Sequence, residues 1–151
     1  MTDSEDYKIF PDKNDIITDW VCKGLKYDKA WLDEHLTFGF ALKGKMIGGL
    51  IFHNYRPRHE IWWTVYSEDK RWCNRRMLRI MFGIAFKAMG CRRISLLVDK
   101  SNAASLNFVK KLGFQQEGIL HSFRENGEDC YILGMLKDEC KWLKLKGEEN
   151  E

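Results

Sequence analysis

Residues 71–114 decide the fold, and they read RWCNRRMLRIMFGIAFKAMGCRRISLLVDKSNAASLNFVKKLGF. Apolar residues recur at three- and four-residue intervals from Met77 to Met89, a pattern typical of a helix with one buried face. Gly90 follows the last of them, where a helix most easily ends on a residue that tolerates the left-handed conformation. The short apolar run at residues 93–98 predicts a strand buried on both faces.

A second helix is predicted directly after this strand. Ser101 or Asn102 can cap its first turn, and Gly113 provides its stop. Its apolar residues are Ala104, Leu106, Phe108, Val109 and Leu112. Because helices alternate with strands in this order, the stretch predicts an α/β unit and excludes an all-helical bundle.

The flanking segments predict the rest of a mixed sheet. Further strands are predicted at residues 7–10, 38–42, 46–53, 60–67, 115–124 and 130–136, with hairpin turns at 43–45 and 126–127. Further helices are predicted from an Asn14 or Asp15 cap to Leu25, at 27–36 and at 137–146. The predicted order is β-α-α-β-β-β-α-β-α-β-β.

Length and composition predict one globular domain over residues 1–146, followed by a short acidic tail at 147–151. A chain of 151 residues buries roughly 70% of its unfolded surface. A hydrophobic content of 44% and an aromatic content of 13% exclude a disordered chain. The net charge of +3 is too small to indicate nucleic-acid binding by itself.

The cysteines indicate a reducing environment. They number five, an odd count, and no two of them form a Cys-x-x-Cys pair. The chain shows neither a signal peptide nor an apolar run of membrane length, so we expect reduced thiols, a cytoplasmic location and no membrane partner. No spacing among the cysteines and the four histidines matches a metal site, so no metal is expected.

Four motifs, taken in order, resemble the GNAT superfamily of N-acetyltransferases. They are FGFALKGKMIGGLIF at 38–52, FKAMGCRRI at 86–94, Asn102-x-x-Ser105, and KKLGFQQEGIL at 110–120. The resemblance covers residues 38–136 and is nearest to the branch that acetylates ribosomal-protein N-termini (RimJ/RimL-like). It implies a central mixed, mostly antiparallel sheet of about seven strands, splayed between strands 4 and 5 and flanked by about four helices. It also implies acetyl-CoA as co-substrate in the opening between those two strands.

The expected cofactor site has a simple physical basis. Where neighbouring strands separate, backbone groups lose partners, and the amides of a pantetheine arm can replace them. The resemblance assigns this role to Val65, Tyr66 and Ser67, with the N–H group of Val65 or Tyr66 polarising the thioester carbonyl. The pyrophosphate is then expected at the N-terminus of the following helix.

The phosphate-binding loop departs from the family pattern, Gln/Arg-x-x-Gly-x-Gly/Ala. Trp72 and Asn74 occupy the two small positions, a degenerate loop like that of some phage GNAT-like proteins. A tryptophan there is expected to obstruct the pyrophosphate path, whereas Asn74 can cap the helix. The side chains of Arg71, Arg75 and Arg76 can replace the lost backbone contacts to phosphate.

Cys73 completes the predicted cofactor loop. It lies beside a helix N-terminus and several arginines, an environment that can lower a thiol pKa. A nucleophilic role for Cys73 is the weaker hypothesis, because no histidine lies near it in sequence.

Four residues are the predicted catalytic groups. Asn102 and Ser105 match the branch motif that faces the thioester, where Ser105 protonates or hydrogen-bonds the leaving thiolate. The simpler interpretation is that Asn102 only caps a helix. Glu60 can accept a proton from the ammonium, or be an ordinary solvated glutamate. Tyr131 can face the acceptor, or be a buried tyrosine with a bonded hydroxyl.

Two histidines flank the loop before residue 60 and are alternative bases. His53 and His59 have the residue type whose pKa suits proton transfer near neutral pH. Each is expected to be a surface histidine.

The sequence therefore predicts an N-acetyltransferase that moves an acetyl group from acetyl-CoA to a primary amine by direct attack in a ternary complex. The acceptor is left open among a peptide N-terminus, a lysine, a small amine and a nucleobase, and a homodimer is compatible with the fold. One alternative is a nucleic-acid-modifying GNAT-fold protein (Mom-like), and another is a catalytically silent GNAT-fold binding module. The basic groove of the first would contain Arg56, Arg58, Arg75, Arg76 and Arg79.

Overall fold

The computed structural model describes residues 6–143, which form a mixed α/β fold. The seven strands are β1 Tyr7–Pro11, β2 His35–Leu42, β3 Lys45–Arg56, β4 Glu60–Ser67, β5 Arg93–Asp99, β6 Gln115–Leu120 and β7 Cys130–Leu136. The three α-helices are α1 Ile16–Leu25, α2 Arg75–Gly83 and α3 Ala103–Leu112. The strands form one mostly antiparallel sheet in the order β1-β2-β3-β4-β5-β7-β6. The predicted fold class is confirmed, and the splay between β4 and β5 stays a prediction.

The chain divides into two compact units. The first comprises residues up to 55 together with 62–78, and the second comprises 56–61 together with residues from 79 onward. The prediction of a single domain over 1–146 stays a prediction. The predicted acidic tail at 147–151 lies outside the described residues.

The first unit is built on an antiparallel strand pair with a tight turn. Strand β2 pairs with β3 from His35↔His53 to Leu42↔Lys45. The turn residues Lys43 and Gly44 both have positive φ, 53° and 79°, as a two-residue hairpin matched to strand twist requires. The predicted turn at 43–45 is thus confirmed, one residue shorter.

Helix α1 covers one face of this hairpin. Its residues Ile17, Val21 and Cys22 form a buried cluster with Ile51 of β3. The cap of this helix differs from the prediction, because Asp12 accepts hydrogen bonds from the backbone N–H groups of Ile17 and Thr18 at 2.8 and 2.9 Å. Asn14 and Asp15 instead lie in the left-handed region, and neither caps the helix with its side chain.

The second unit pairs β7 with both β5 and β6, antiparallel in each case. Helix α3 begins after Asn102 and ends at Gly113, whose φ of 118° explains the glycine there. The indole Nε1 of Trp142 donates to the Leu112 carbonyl at 2.9 Å and so satisfies one of the last carbonyls of α3.

Three predicted elements are wrong in extent. The predicted helix at 27–36 is reduced to a 3₁₀ turn at Lys29–Trp31, because the Asp28 side chain accepts from the Ala30 N–H and competes with a continuing helix, and residues 35–36 already belong to β2. Strand β6 stops at Leu120, so the connection to β7 spans residues 121–129 instead of a two-residue turn. The predicted helix at 137–146 is a 3₁₀ turn at Lys137–Glu139, and 144–146 lie outside the described residues.

The central helix also changes type. Helix α2 is followed at once by a π-helical turn at Ile84–Ala88, in which the Met89 N–H bonds to the Ile84 carbonyl at 2.8 Å. The apolar periodicity predicted one continuous helix. A π turn inserts a residue without breaking the buried face, so the periodicity does not reveal it. Gly90 ends the segment at φ 69°, as predicted.

Candidate active site

The Trp72 side chain lies in the core of the first unit. It is 7% exposed, and its ring centroid is 5.5 Å from that of Phe40. A methyl group added at Gly48 would lie only 2.8 Å from the Trp72 Cβ, so the absence of a side chain at 48 makes the space. The indole therefore has a packing role in this unit, which the obstruction hypothesis did not include.

The backbone of Trp72 is fixed from the edge strand. The hydroxyl of Tyr7 in β1 donates a hydrogen bond to the Trp72 carbonyl. Tyr7 is buried, and this burial raises the pKa of its hydroxyl above the ordinary range. Sequence reasoning missed Tyr7, because nothing within a local window links residues 65 positions apart.

Several N–H groups of the loop are already bonded within it. Arg71 N donates to Asp69 Oδ1 at 2.9 Å, and Trp72 N donates to the Asp69 carbonyl at 3.0 Å. The Arg71 guanidinium also holds the Asp69 carboxylate, with its Nη2 2.7 Å from Oδ2. These Arg71 contacts lower the pKa of Asp69 to about 2. The backbone N–H and the guanidinium of Arg71 therefore both bind Asp69.

Asn74 caps helix α2, as predicted. Its Oδ1 accepts from the Met77 N–H at 2.8 Å, and its carbonyl accepts from the Leu78 N–H at 3.0 Å. Arg75 and Arg76 follow in the first turn, and both are exposed. All three predicted phosphate-binding arginines are exposed, and Arg71 differs from Arg75 and Arg76 in that its guanidinium pairs with Asp69.

Cys73 is a protonated thiol. Burial raises its pKa to about 12, and no opposing charge compensates for the lost solvation. The hypothesis of a lowered thiol pKa is therefore wrong. Sequence proximity to arginines suggested it, but burial decides the outcome.

Strand β4 carries the residues predicted to bind the pantetheine arm. The Tyr66 ring packs edge-on against Trp20 of α1 at 5.1 Å, and its hydroxyl donates to Glu68 at 2.9 Å. Val65 is half-buried and Ser67 is exposed. The Tyr66 side chain thus packs against helix α1. The predicted contribution of β4 to the site is therefore made by its backbone groups.

His53 is not the surface histidine that the sequence suggested. It is 4% exposed, and its Nε2 lies 2.8 Å from the Thr64 hydroxyl. Burial lowers the pKa of its imidazole to about 4, against a smaller opposing effect of the Asn54 side chain. His53 is therefore neutral near pH 7. His59 is exposed, and its Nδ1 lies 2.6 Å from the Arg92 guanidinium.

Glu60 belongs to an ion-pair network in the second unit. Its carboxylate is 2.9 Å from the Arg56 Nε and 3.9 Å from the Arg93 Nε. Arg93 also pairs with Glu117 at 2.9 Å and hydrogen-bonds the Ser95 hydroxyl. Glu60 is therefore not an isolated, solvated carboxylate, and its role as proton acceptor stays a prediction.

Asn102 and Ser105 meet in the first turn of α3. The Asn102 Oδ1 accepts from the Ser105 N–H at 3.1 Å, so the predicted helix cap is present. The Ser105 hydroxyl is half-buried and has no hydrogen-bond partner within residues 6–143. The capping amide fixes the turn, and the serine keeps a hydroxyl available for chemistry.

The connection that follows β6 is fastened to the end of β5. Arg124 Nε is 2.7 Å from Asp99 Oδ1, which also accepts from the Cys130 thiol at 3.2 Å. The Glu128 carboxylate accepts from the Ser101 N–H at 2.7 Å. These bonds hold the segment that leads into Asn102. None of these bonds was predictable from local sequence, because each joins residues more than twenty positions apart.

Tyr131 lies in the middle of this part of the sheet. In β7 it is the register partner of Val98 in β5 and of Ile119 in β6. Its side chain is half-buried. This placement is compatible with both interpretations of Tyr131, and its catalytic role stays a prediction.

The described residues include no helix that is both long and apolar enough to cross a membrane. All five cysteines are free, and none is paired in a disulfide.

Comparison with known proteins identifies the family. Residues 14–131 match the family described as Acetyltransferase (GNAT) domain. Over 102 residues the chain is 29% identical to the uncharacterized N-acetyltransferase YoaA of Bacillus subtilis (strain 168), a match that covers 62% of this chain and 56% of YoaA. The chain thus spans about half the length of that curated relative.

Solved structures agree with the fold. A putative acetyltransferase superposes with a TM-score of 0.70 at 15% identity, covering 88% of this chain and 84% of that one. Spermidine N-acetyltransferase from Vibrio cholerae superposes with a TM-score of 0.67 at 13% identity, covering 89% and 95%. Mycobacterium smegmatis RimJ in complex with CoA-disulfide gives a TM-score of 0.60 at 24% identity, covering 81% and 63%. With the match over residues 14–131, the chain belongs to the GNAT acetyltransferase family.

Proposed function

We propose that this chain transfers an acetyl group from acetyl-CoA to a primary amine by direct attack in a ternary complex. The observation that carries the proposal is the first turn of α3, where the cap from Asn102 fixes the backbone of Ser105, and the Ser105 hydroxyl has no hydrogen-bond partner among the residues that the structure describes. Family membership supplies the reaction class, and RimJ, a distant structural neighbour, was solved with a CoA disulfide.

Acetyl-CoA is held mainly by side chains at the phosphate end. The N–H groups of Arg71 and Trp72 are already donated to Asp69, so the loop offers less backbone than a glycine-rich loop does. The exposed guanidinium groups of Arg75 and Arg76 can pair with phosphate in its place. At the other end, backbone groups of Val65, Tyr66 and Ser67 bind the pantetheine amides.

The reaction needs little covalent participation from the protein. The neutral amine attacks the thioester carbonyl, a C–N bond forms, and the C–S bond breaks. A backbone N–H of β4, at Val65 or Tyr66, stabilises the developing oxyanion. Ser105 hydrogen-bonds or protonates the departing thiolate, and the amine proton passes to solvent or to Glu60. Alignment of amine and thioester supplies much of the rate.

The acceptor follows from chemistry and analogy. A peptide N-terminus, as in the RimJ/RimL-like branch, and a small amine such as spermidine both present a primary amine. Either fits this mechanism. A homodimer and a single domain over residues 1–146 are part of the proposal, and size-exclusion chromatography with light scattering tests the former.

Replacement of Ser105 tests the proposed mechanism. In an assay of CoA thiol release with spermidine and a short peptide as acceptors, Ser105→Ala should lower kcat about 100-fold while leaving the dissociation constant of acetyl-CoA unchanged. Ser101→Ala, four residues earlier on an exposed turn, is the matched control and should keep full activity. Equal rates for wild type and Ser105→Ala would remove Ser105 from the mechanism.

A nucleic-acid-modifying role is the second candidate. The exposed Arg75, Arg76 and Arg79 along α2 favour it, whereas Arg56 is paired with Glu60. DNA binding that weakens steeply with salt would support this role. Lack of binding at low salt would exclude it. A silent binding module would bind acetyl-CoA or a partner and release no CoA from any amine.

A further inference from the structure

The first unit contains a buried polar atom that the proposed chemistry has not yet used. Among the described residues, His53 Nδ1 is buried and makes no hydrogen bond of normal geometry, although the Asn54 side chain lies near enough to the imidazole to raise its pKa against the larger effect of burial. Buried polar atoms in native proteins are nearly always satisfied, and one left open deserves a ligand or a bound water as its explanation. The other ring nitrogen, Nε2, is already engaged by Thr64 at 2.8 Å.

An exposed aromatic residue lies against this histidine. The Trp31 ring meets the His53 ring edge-on, with centroids 5.1 Å apart, although the Trp31 side chain is 42% exposed. The Tyr27 ring stands 6.2 Å from Trp31, also edge-on. An indole with a solvent-facing side is a surface that attracts cations through its ring quadrupole.

The segment that contains Trp31, residues 28–34, is acidic in sequence. Asp28, Asp33 and Glu34 are all exposed on the same short segment, which carries one basic side chain, Lys29. Lys29 is itself committed to Asp19 at 2.8 Å. The local charge therefore favours a positively charged ligand.

We infer that Trp31 and His53 form a binding site for a primary alkylammonium group, in which His53 Nδ1 accepts an N–H hydrogen bond and the Trp31 indole contacts the cation. The inference rests on the proposed function and makes this site the acceptor subsite of the acetyl transfer. The proposal takes the tautomer in which Nε2–H donates to the Thr64 hydroxyl, so that Thr64 positions the ring and the lone pair of the imidazole lies on Nδ1.

The burial of His53 suits this role. An imidazolium at this position would repel an ammonium ion, whereas desolvation keeps the ring neutral. Only a donor group satisfies the open Nδ1 in that tautomer, and an ammonium offers three N–H donors. An alcohol can donate to His53 Nδ1 but lacks the charge that the Trp31 indole attracts. A quaternary ammonium ion carries the charge but has no N–H to donate to His53.

Imidazole NMR tests the site without any acetyl transfer. The chain has four histidines, so substitution of each assigns their ring signals. Adding n-butylammonium should shift the His53 ring signals and the Trp31 indole signal with one saturation curve. Tetramethylammonium should shift the indole signal alone. Identical responses of His53 to the two cations, or no response to either, would overturn the inference.

Two variants separate ligand binding from structural support. His53→Gln should abolish the butylammonium response at Trp31 or weaken it at least tenfold, and Thr64→Val should weaken it while shifting the ring tautomer seen in ¹⁵N spectra. His59→Gln, an exposed histidine of the other unit, is the control and should leave the response unchanged. If His53→Gln fails to fold, the comparison of the two cations on the wild-type chain still decides.

The outcome is separable from the proposed function. If butylammonium binds at His53 but acetyl-CoA does not bind the chain, the amine site stands and the acetyl transfer fails. If acetyl-CoA is turned over and His53 is silent, the acceptor binds elsewhere and this inference is wrong. If the amine binds at His53 and acetyl-CoA is turned over, His53→Gln should raise the KM for the amine about tenfold and leave the affinity for acetyl-CoA unchanged.

Discussion

The hydroxyl of Tyr7 donates a hydrogen bond to the backbone carbonyl of Trp72, which lies 65 residues later in the chain. Tyr7 belongs to the edge strand β1, whereas Trp72 belongs to the degenerate loop before α2. The bond fixes the backbone of the loop to the edge strand, while the Trp72 indole fills the space left by the absent side chain of Gly48. Two independent contacts therefore hold one residue at a position where the family usually has glycine.

Tyr7→Phe should destabilise the first unit by about 1 kcal/mol, since it removes one buried hydrogen bond to the Trp72 carbonyl. Urea unfolding followed by tryptophan fluorescence measures the loss. Tyr66→Phe is the control, because it removes a more exposed bond to Glu68 and should change stability by less than about 0.5 kcal/mol. Equal losses in both variants would show that the Tyr7 bond has no special role.

Gly48→Ala should destabilise the chain by about 1–3 kcal/mol, because its new methyl group would overlap with Trp72. Combining Gly48→Ala with Trp72→Ala should cost less than the sum of the single changes, since the smaller side chain removes the overlap. Gly83→Ala is the matched control. It lies in helical conformation with nothing within 4 Å of an added Cβ, so it should be neutral or stabilising by up to about 1 kcal/mol. Strict additivity of the first pair would contradict the packing account.

The elements that the sequence predicted well are those with a strong local signal. The bounds of β4 follow from its run of β-branched and aromatic residues, and Gly90 and Gly113 end their segments where positive φ is required. The 27–36 segment failed because a single side chain, Asp28, redirects the backbone there. Side-chain caps from outside the helix, such as Asp12, have no helical periodicity to reveal them.

His53 should make the stability of the chain fall below neutral pH. Its folded pKa of about 4 lies below the unfolded value of roughly 6.5, so between these values the unfolded chain takes up a proton that the folded chain does not. Stability is therefore greatest above about pH 6.5 and decreases as the pH falls toward 4. Between pH 7 and pH 5 this one group should remove about 2 kcal/mol.

The comparison of wild type with His53→Gln isolates this effect. Urea unfolding at the two pH values should show a smaller loss for the variant, by about the same 2 kcal/mol, because glutamine does not titrate. Other ionisable groups are common to both chains and cancel in the difference. Parallel pH dependence of the two chains would mean that His53 titrates normally in the folded state.

Arg124→Gln should loosen the segment between β5 and α3. Its pair with Asp99 is partly buried, and removing the guanidinium takes away the positive charge that this carboxylate pairs with, so we expect a loss of about 1–3 kcal/mol. Amide hydrogen exchange of residues 99–102 should accelerate. Arg56→Gln breaks an ion pair whose arginine side chain is 67% exposed and should change stability by less than about 1 kcal/mol. Unchanged exchange in Arg124→Gln would show that the ion pair does not hold this segment.

The candidate site was predictable only where a motif carried it. The resemblance to the family's Asn-x-x-Ser motif pointed to Asn102 and Ser105, which share a helix cap, and their catalytic roles stay predictions. The cap from Asn74 was predicted from its place before a helix. The environments of Glu60 and His53 were not predictable, because the partners of each are set by the pairing of strands and turns that are distant in sequence. Burial also reversed the expectation for Cys73, since neighbouring charges are visible in a sequence and desolvation is not.

Thermal unfolding with and without acetyl-CoA tests the central claim most directly, together with the Arg75→Gln/Arg76→Gln double variant. At about 100 times its dissociation constant, a ligand of the folded state adds roughly 2.7 kcal/mol of stability. For a chain of this length we predict a rise in Tm of about 5–10 °C for the wild type and a clearly smaller rise for the double variant. No rise at millimolar acetyl-CoA would contradict the account, and equal rises in both chains would show that these arginines do not hold the phosphates.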